Sequence, residues 1–168
     1  MTQSHREPSK NHWPNSLYIP MTSEEVKDFL EKKWIMIVST VCFDGWPQST
    51  PVWYIFHEGR IYFRAQSYKV KIKNLRKNSK ISCCVEAGEV YPELRGVSIQ
   101  GSASIVTDQD RNRKLQRILI DKYALQRRTE MMPPDWRAKH GSEERTLVEV
   151  TIRKIVSWDN RKWLEKNV

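Results

Sequence analysis

The way the strand-like runs are joined constrains this chain more than any other feature of its sequence. Trp34 to Cys42 (WIMIVSTVC) is β-branched and almost continuously apolar, as expected of a strand in a closed or covered sheet. Phe43-Asp44-Gly45-Trp46 then reads as a hairpin turn, because Asp-Gly tolerates positive φ, and a second strand follows from about Gln48 to Phe56. His57-Glu58-Gly59 turns the chain again into a third strand, Arg60 to Ala65. Lys80 to Glu86, Gly96 to Val106 and Thr146 to Val156 complete the set, the last ending in Ser157-Trp158-Asp159. A parallel sheet would need helical crossovers where these turns stand. The expected fold class is therefore α+β, a small antiparallel β-barrel of about six strands with peripheral helices.

Three segments have helical spacing. Thr22 and Ser23 followed by Glu24 and Glu25 cap a short helix, about 24 to 33, with Val26, Phe29 and Leu30 on one face. SYKVKIKNLRK, residues 67 to 77, predicts a helix of about ten residues with Tyr68, Ile72 and Leu75 as its buried stripe. Thr107-Asp108 opens a long charged helix, roughly 108 to 126, carrying Leu115, Ile118, Leu119 and Tyr123 on one side. Residues 129 to 144, with Pro133-Pro134 and Gly141, read as irregular, and there are no internal repeats. Residues 1–20 form a polar, proline-bearing arm, and 21–168 one domain, since 168 residues suit a single core. The longest apolar run is far short of the roughly 20 residues of a membrane helix, so no membrane association is expected. The start of the chain lacks the apolar core of a secretory signal, and a cytoplasmic location is expected. Cys42, Cys83 and Cys84 make neither a disulfide framework nor a zinc pattern.

The sequence shows no nucleophile motif, phosphate loop or metal spacing around His5, His12, His57 or His140. Any demanding chemistry would then belong to a bound cofactor. The net charge of +9 is concentrated: Arg60, Arg64, Lys69, Lys71, Lys73, Arg76, Lys77 and Lys80 lie within 60–80, where there is no Asp or Glu. Lys71 sits about 40° from Leu75 on a helical wheel, beside the free amides and positive dipole of the helix start, a favourable seat for a phosphate. The residues alone leave a solvated face, a phosphate seat and a nucleic-acid surface all open. The last calls for aromatics interleaved on the exposed basic face, whereas Tyr68 is expected to point with the core.

STVCFDGWPQSTPVWYIFHEGRIYFRAQSYKVKIKNLRKNSKISCCVE followed by RGVSIQGSASIV resembles the pyridoxamine-phosphate-oxidase-like flavin-binding split-barrel family over roughly 34 to 106. The features are the Asp-Gly hairpin, Pro-Val-Trp on the second strand, Ile-Tyr-Phe-Arg on the third, the Lys-Val-Lys-Ile-Lys-Asn-Leu-Arg helix and the Arg-Gly-Val strand. The resemblance implies a split barrel that forms a homodimer, with flavin mononucleotide (FMN) in each of two grooves between subunits. Thr50, Pro51, Val52 and Trp53 would line the flavin ring and ribityl chain, and Arg64 and Ala65 would hold ribityl or phosphate oxygens. Lys71 matches the family's phosphate-binding lysine. Lys69-Val70-Lys71 stands where the family often has Ser-Arg-Lys, so Lys69 and Arg64 would supply the missing charge. Gly96 lies where the family brings backbone near the ring, and Trp158 would stack on the cofactor of its own or the other subunit. Trp53 and Trp158 are equally readable as core packing, given the area a Trp buries.

Oxidases acting on pyridoxine phosphates carry an Arg-rich tail with an Arg-Leu-Xaa-Pro-type motif, whereas this sequence ends SWDNRKWLEKNV. True vitamin B6 oxidation is therefore disfavoured. The expected function is an FMN-dependent oxidoreductase passing hydride between the flavin and an unidentified small molecule, with Tyr54 or Tyr68 as candidates for proton transfer. The alternatives are a deazaflavin-coenzyme-dependent reductase of the same fold and a non-catalytic flavin- or haem-binding protein. Neither a metal site nor a nucleic-acid partner is expected.

Overall fold

A computed structural model describes residues 19–124 and 144–166. Six strands, β1 (Ile35–Val41), β2 (Pro47–His57), β3 (Arg60–Gln66), β4 (Lys80–Ala87), β5 (Arg95–Ile105) and β6 (Arg145–Asp159), close into a barrel in the order β1-β2-β3-β6-β5-β4. Every pairing is antiparallel, as the hairpin turns require. Gly45 and Gly59 take φ of 86° and 72° at the two turns. Helices α1 (Ser23–Lys32), α2 (Val70–Lys77), α3 (Gln109–Lys122) and α4 (Arg161–Lys166) lie outside the strands. The capping box of Thr22 with Glu25 starts α1, and the Asp108 carboxylate accepts from Arg111 N–H to start α3. Helix α4 and a 3-10 turn at Tyr91–Glu93 were not expected from the sequence. Residues 1–18 of the arm and 129–143 of the irregular segment lie outside the described residues.

There are two cores. Inside the barrel, Met36, Val38, Tyr54, Ile61, Phe63, Val85, Val97, Ile99 and Val150 pack with Phe29 and Leu30 of α1 and Ile72 of α2. On the outer face of β2, β3 and β6, α3 lays Leu115, Leu119 and Tyr123 against Ile55, Tyr62 and Leu147. Strand alternation thus makes Ile61, Phe63 and Ala65 inward residues and Tyr62 and Arg64 outward ones.

Two irregularities shape the molecule. First, β2 and β3 pair only from Tyr54–Phe63 to His57–Arg60; beyond that, β2 continues beside β1 and β3 continues beside β6. The barrel is split there. Pro51 lies on the stretch of β2 with β1 alone as neighbour, so its missing N–H need break no ladder. Second, the outer face of β2-β1-β4-β5-β6 carries two cross-strand rows, Pro51–Ile37–Cys84–Ser98–Val156 and Ser49–Ser39–Ser82–Gln100–Lys154. Helix packing concentrates on β1 and β2. Among the described residues no helix is long and apolar enough to cross a membrane.

Candidate functional site

The split brings the expected site residues of β2 and β3 into one neighbourhood. Thr50, Pro51, Val52 and Trp53 form one side and Arg64 and Ala65 the other. Val52 and Ala65 point inward and are buried, whereas Trp53 and Arg64 point outward towards α3. An Arg64 Nη1–H donates to Gln116 Oε1 of α3 at 3.2 Å.

Helix α2 serves the barrel end at this split, and it begins later than its sequence suggests. Ser67 is tied to the far end of the chain: its N–H donates to Glu144 O at 3.1 Å, and its hydroxyl lies 2.9 Å from that of Thr146. Lys69 N–H closes a turn onto Gln66 O, so the helix starts at Val70. Tyr68 precedes the helix and is 52% exposed, which corrects its assignment to the buried stripe. Asn74 takes that place instead, donating to Thr40 Oγ1 at 3.0 Å. A buried amide replaces an apolar contact here because β1 supplies its acceptor.

One turn before Asn74, Lys71 is half-buried. Burial, and after it the neighbouring Lys69 charge, lower the pKa of its amine. It has no acidic or hydrogen-bonding partner among the described residues. Lys69 itself is exposed, its Nζ 5.2 Å from the Tyr68 ring centroid. Two more polar atoms at this end are unsatisfied: the buried Thr50 Oγ1 and Gln48 Oε1. Both residues alternate with Val52 along β2, and Gln48 pairs with Thr40, the acceptor of Asn74. A half-buried cation and two orphaned oxygens at one barrel end suit a ligand with one anionic end and several hydroxyl donors.

On the outward side, Trp53 stacks on Tyr123 with ring centroids 4.4 Å apart and 11° between planes. The Tyr123 hydroxyl accepts from Tyr54 N–H at 2.8 Å and lies 2.6 Å from Trp34 O, to which it donates. Lys122 donates to Lys33 O at 2.7 Å, with its Nζ 4.6 Å from the Tyr54 ring centroid. Burial lowers the Lys122 amine to about 8.

Gly96 and Trp158 are cross-strand partners on β5 and β6, apart from the split. A Cβ on Gly96 would come within 2.4 Å of the Trp158 ring, so the glycine exists here to let the indole lie over it. Tyr54 is fully buried and donates its hydroxyl to Leu30 O, which removes it as a proton relay to a ligand. Gln48, Asn74, Tyr123 and Lys122 were not singled out as site residues in the sequence. Only Gln48, two positions before Thr50 on the same face, carried a usable signal. Among the described residues no group of three or more His, Cys, Asp or Glu could hold a metal ion.

No curated protein matches the chain. Among solved structures, the conserved hypothetical protein Rv2991 of Mycobacterium tuberculosis is similar, with a TM-score of 0.72 and 27% identity, covering 88% of this chain and 90% of that one. A FAD-binding protein of Mesorhizobium loti (TM-score 0.65, 15% identity, 84% and 96% covered) and an F420 reductase (0.58, 22%, 80% and 98%) share the fold. A family model described as pyridoxamine 5'-phosphate oxidase matches residues 22–159, and the chain belongs to that family.

Proposed function

We propose that the split binds a flavin-type cofactor, FMN in the first instance, and that the protein is an oxidoreductase acting on a small molecule. The observation that carries this reading is the half-buried Lys71 amine, without a partner among the described residues and set at the same barrel end as Thr50 Oγ1 and Gln48 Oε1. Lys71, with Lys69 beside it, would hold the phosphate; Thr50 and Gln48 would accept from ribityl hydroxyls. Trp53, braced by Tyr123, and the backbone of Pro51 and Val52 would border the ring. Arg64, held by Gln116, would add charge at the rim. A flavin supplies two-electron chemistry that no side-chain set of this site offers. The chain's own part is to neutralise the anionic end, orient the ring edge and keep one flank dry with Val52 and Ala65. We further propose a homodimer in which these two cross-strand rows of the outer sheet face meet a second copy, bringing Gly96 and Trp158 towards the partner's cofactor. FAD binding and F420 reduction in the two fold relatives agree with a cofactor of this kind.

The test is a titration of the purified protein with FMN and with the deazaflavin coenzyme, followed by visible absorbance, for the wild type and Lys71→Met. Saturable FMN binding that the variant weakens supports the reading. Response to the deazaflavin alone shifts it to that coenzyme. A protein that takes up neither, or an unaffected Lys71→Met, overturns it.

A further inference from the structure

The outer sheet face assigned to a second copy carries a charge pattern that two copies alone do not balance. At its end nearest Thr40, the acceptor of Asn74, lies an open groove with a volume of about 600 Å³. Ser39, Ser82 and Gln100 line it together with Lys80, Arg153 and Lys154, and no carboxylate does. None of these three cations has an acidic partner among the described residues. Arg153 and Lys154 are neighbours on β6, where side chains ordinarily alternate between faces. The register shift between Gln100 and Gly101 leaves Arg153 without a partner on β5, and both residues line the groove. The bulge thus doubles the charge that this part of β6 presents.

Gly96 and Trp158 face the split of a second copy when the two-fold axis runs along the strands near β4, the middle strand of this face. Such an axis sets the β6 end of each cross-strand row against the β2 end of the same row in the second copy. Lys154 then meets the second copy's Ser49, the residue between Gln48 and Thr50 with their unsatisfied oxygens. Lys80, on β4, meets its own counterpart.

We propose that Arg153 and Lys154 hold the anionic end of the cofactor bound at the second copy's split, and that dimer assembly is linked to that anion. This rests on the cofactor reading and the homodimer above, and adds trans ligands and a control of assembly to them. The three cations of each copy meet with no carboxylate in the groove, so the bare contact repels itself. One phosphate at each split supplies the missing charge. Lys71 leaves most of a phosphate's oxygens open, and charge-assisted bonds from across the contact fill them. The coupling is reciprocal: what the phosphate gains from the second copy, the dimer gains from the phosphate.

The experiment is sedimentation equilibrium of the full-length wild type and Arg153→Met/Lys154→Met, alone and with FMN, riboflavin or inorganic phosphate. FMN affinity is measured alongside. Without cofactor, raising sodium chloride from about 50 to about 200 mM tightens the wild-type dimer, because salt screens like charges. FMN tightens it roughly 10- to 100-fold, inorganic phosphate less, and riboflavin, which lacks the phosphate, leaves it nearly unchanged. The variant, altered only at exposed side chains, reverses the pattern. Its cofactor-free dimer is tighter than the wild type's, its FMN affinity falls roughly 10- to 100-fold, and FMN no longer tightens it. Equal tightening by FMN and riboflavin, or wild-type FMN affinity in the variant, overturns the proposal and leaves the cofactor reading standing. So does a wild type that stays monomeric with FMN bound. A protein that binds no flavin sinks the cofactor reading, and the proposal falls with it unless inorganic phosphate tightens the wild-type dimer and not the variant's.

Discussion

The two sides of the split treat buried polar groups in opposite ways. On the α3 side they are satisfied: the Tyr123 hydroxyl joins Tyr54 and Trp34 backbone groups, Lys122 donates to Lys33 O, and buried Glu149 receives Arg60 and Arg111, each at 2.5 Å. On the α2 side Lys71, Thr50 Oγ1 and Gln48 Oε1 have no such partners among the described residues. Buried polar groups are rarely left unpaired in a finished interior. The contrast separates a region built to hold the barrel together from one built to receive something.

Variants can break or sharpen that contrast. The largest effect is expected from Tyr123→Ala, which removes a fully buried ring, its stack on Trp53 and the clamp on Tyr54; urea unfolding should show a loss of about 3–5 kcal/mol at unchanged m-value. Lys71→Met should act the other way round: a fall in flavin affinity of about 1.5–3 kcal/mol, with the ligand-free unfolding midpoint unchanged or raised. A Lys71→Met protein as unstable as Tyr123→Ala would erase the distinction.

Stability of the α3 side should depend on pH through Lys122. Its amine titrates at about 8 in the folded protein, lowered by burial against the opposing Glu31 charge, from an ordinary 10.5. Between these values the unfolded chain binds more protons, so stability rises with pH; below 8 both states are protonated and the contribution is flat. Tyr54 and Tyr123, both raised by burial, act with the opposite sign above about pH 10. Between pH 8 and 10 the wild type should gain about 1 kcal/mol relative to Lys122→Met, after discounting for solvent screening. Parallel profiles for the two proteins would place the lysine outside the clamp. The smallest effect belongs to Thr50→Val, which replaces an orphaned hydroxyl by a methyl of similar shape; ligand-free stability should rise by up to about 1 kcal/mol while FMN binding weakens. A destabilised Thr50→Val would mean that the hydroxyl already has a structural partner.

The barrel was legible because local signals carry it: Asp44-Gly45 and Glu58-Gly59 fix hairpins, and each hairpin fixes two antiparallel neighbours. What escaped was set by distant contacts. The start of α2 depends on Ser67 meeting Glu144 and Thr146, and nothing within SYKVKIKNLRK announces that. Asn74 reads as a surface residue until Thr40 is seen opposite it. Trp53 was readable as either ring wall or core; its stack on Tyr123 links it to the core, and its position at the split keeps it beside the candidate site. The pairing of Trp158 with Gly96 required the β5–β6 register, which the bulge between Gln100 and Gly101 shifts by a residue. Lys71 stood out in both readings because a charge bordering an apolar stripe is visible in the sequence and its half-burial in the structure.

The length of β6 bears on how the molecule assembles. Its first residues pair with β3 and its later ones with β5, the two sets overlapping at 148–150, so one segment closes the cylinder. The hairpins β1–β2, β2–β3 and β4–β5 join neighbours in sequence and can form within microseconds, but β6 must return to β3 across most of the domain. Ser67 is anchored by that same returning segment, so the start of α2 and the setting of Lys71 take shape only when the last strand docks. A nascent chain would therefore display its hairpins before it could hold an anion, and ligand would reward completed folding without guiding its early steps.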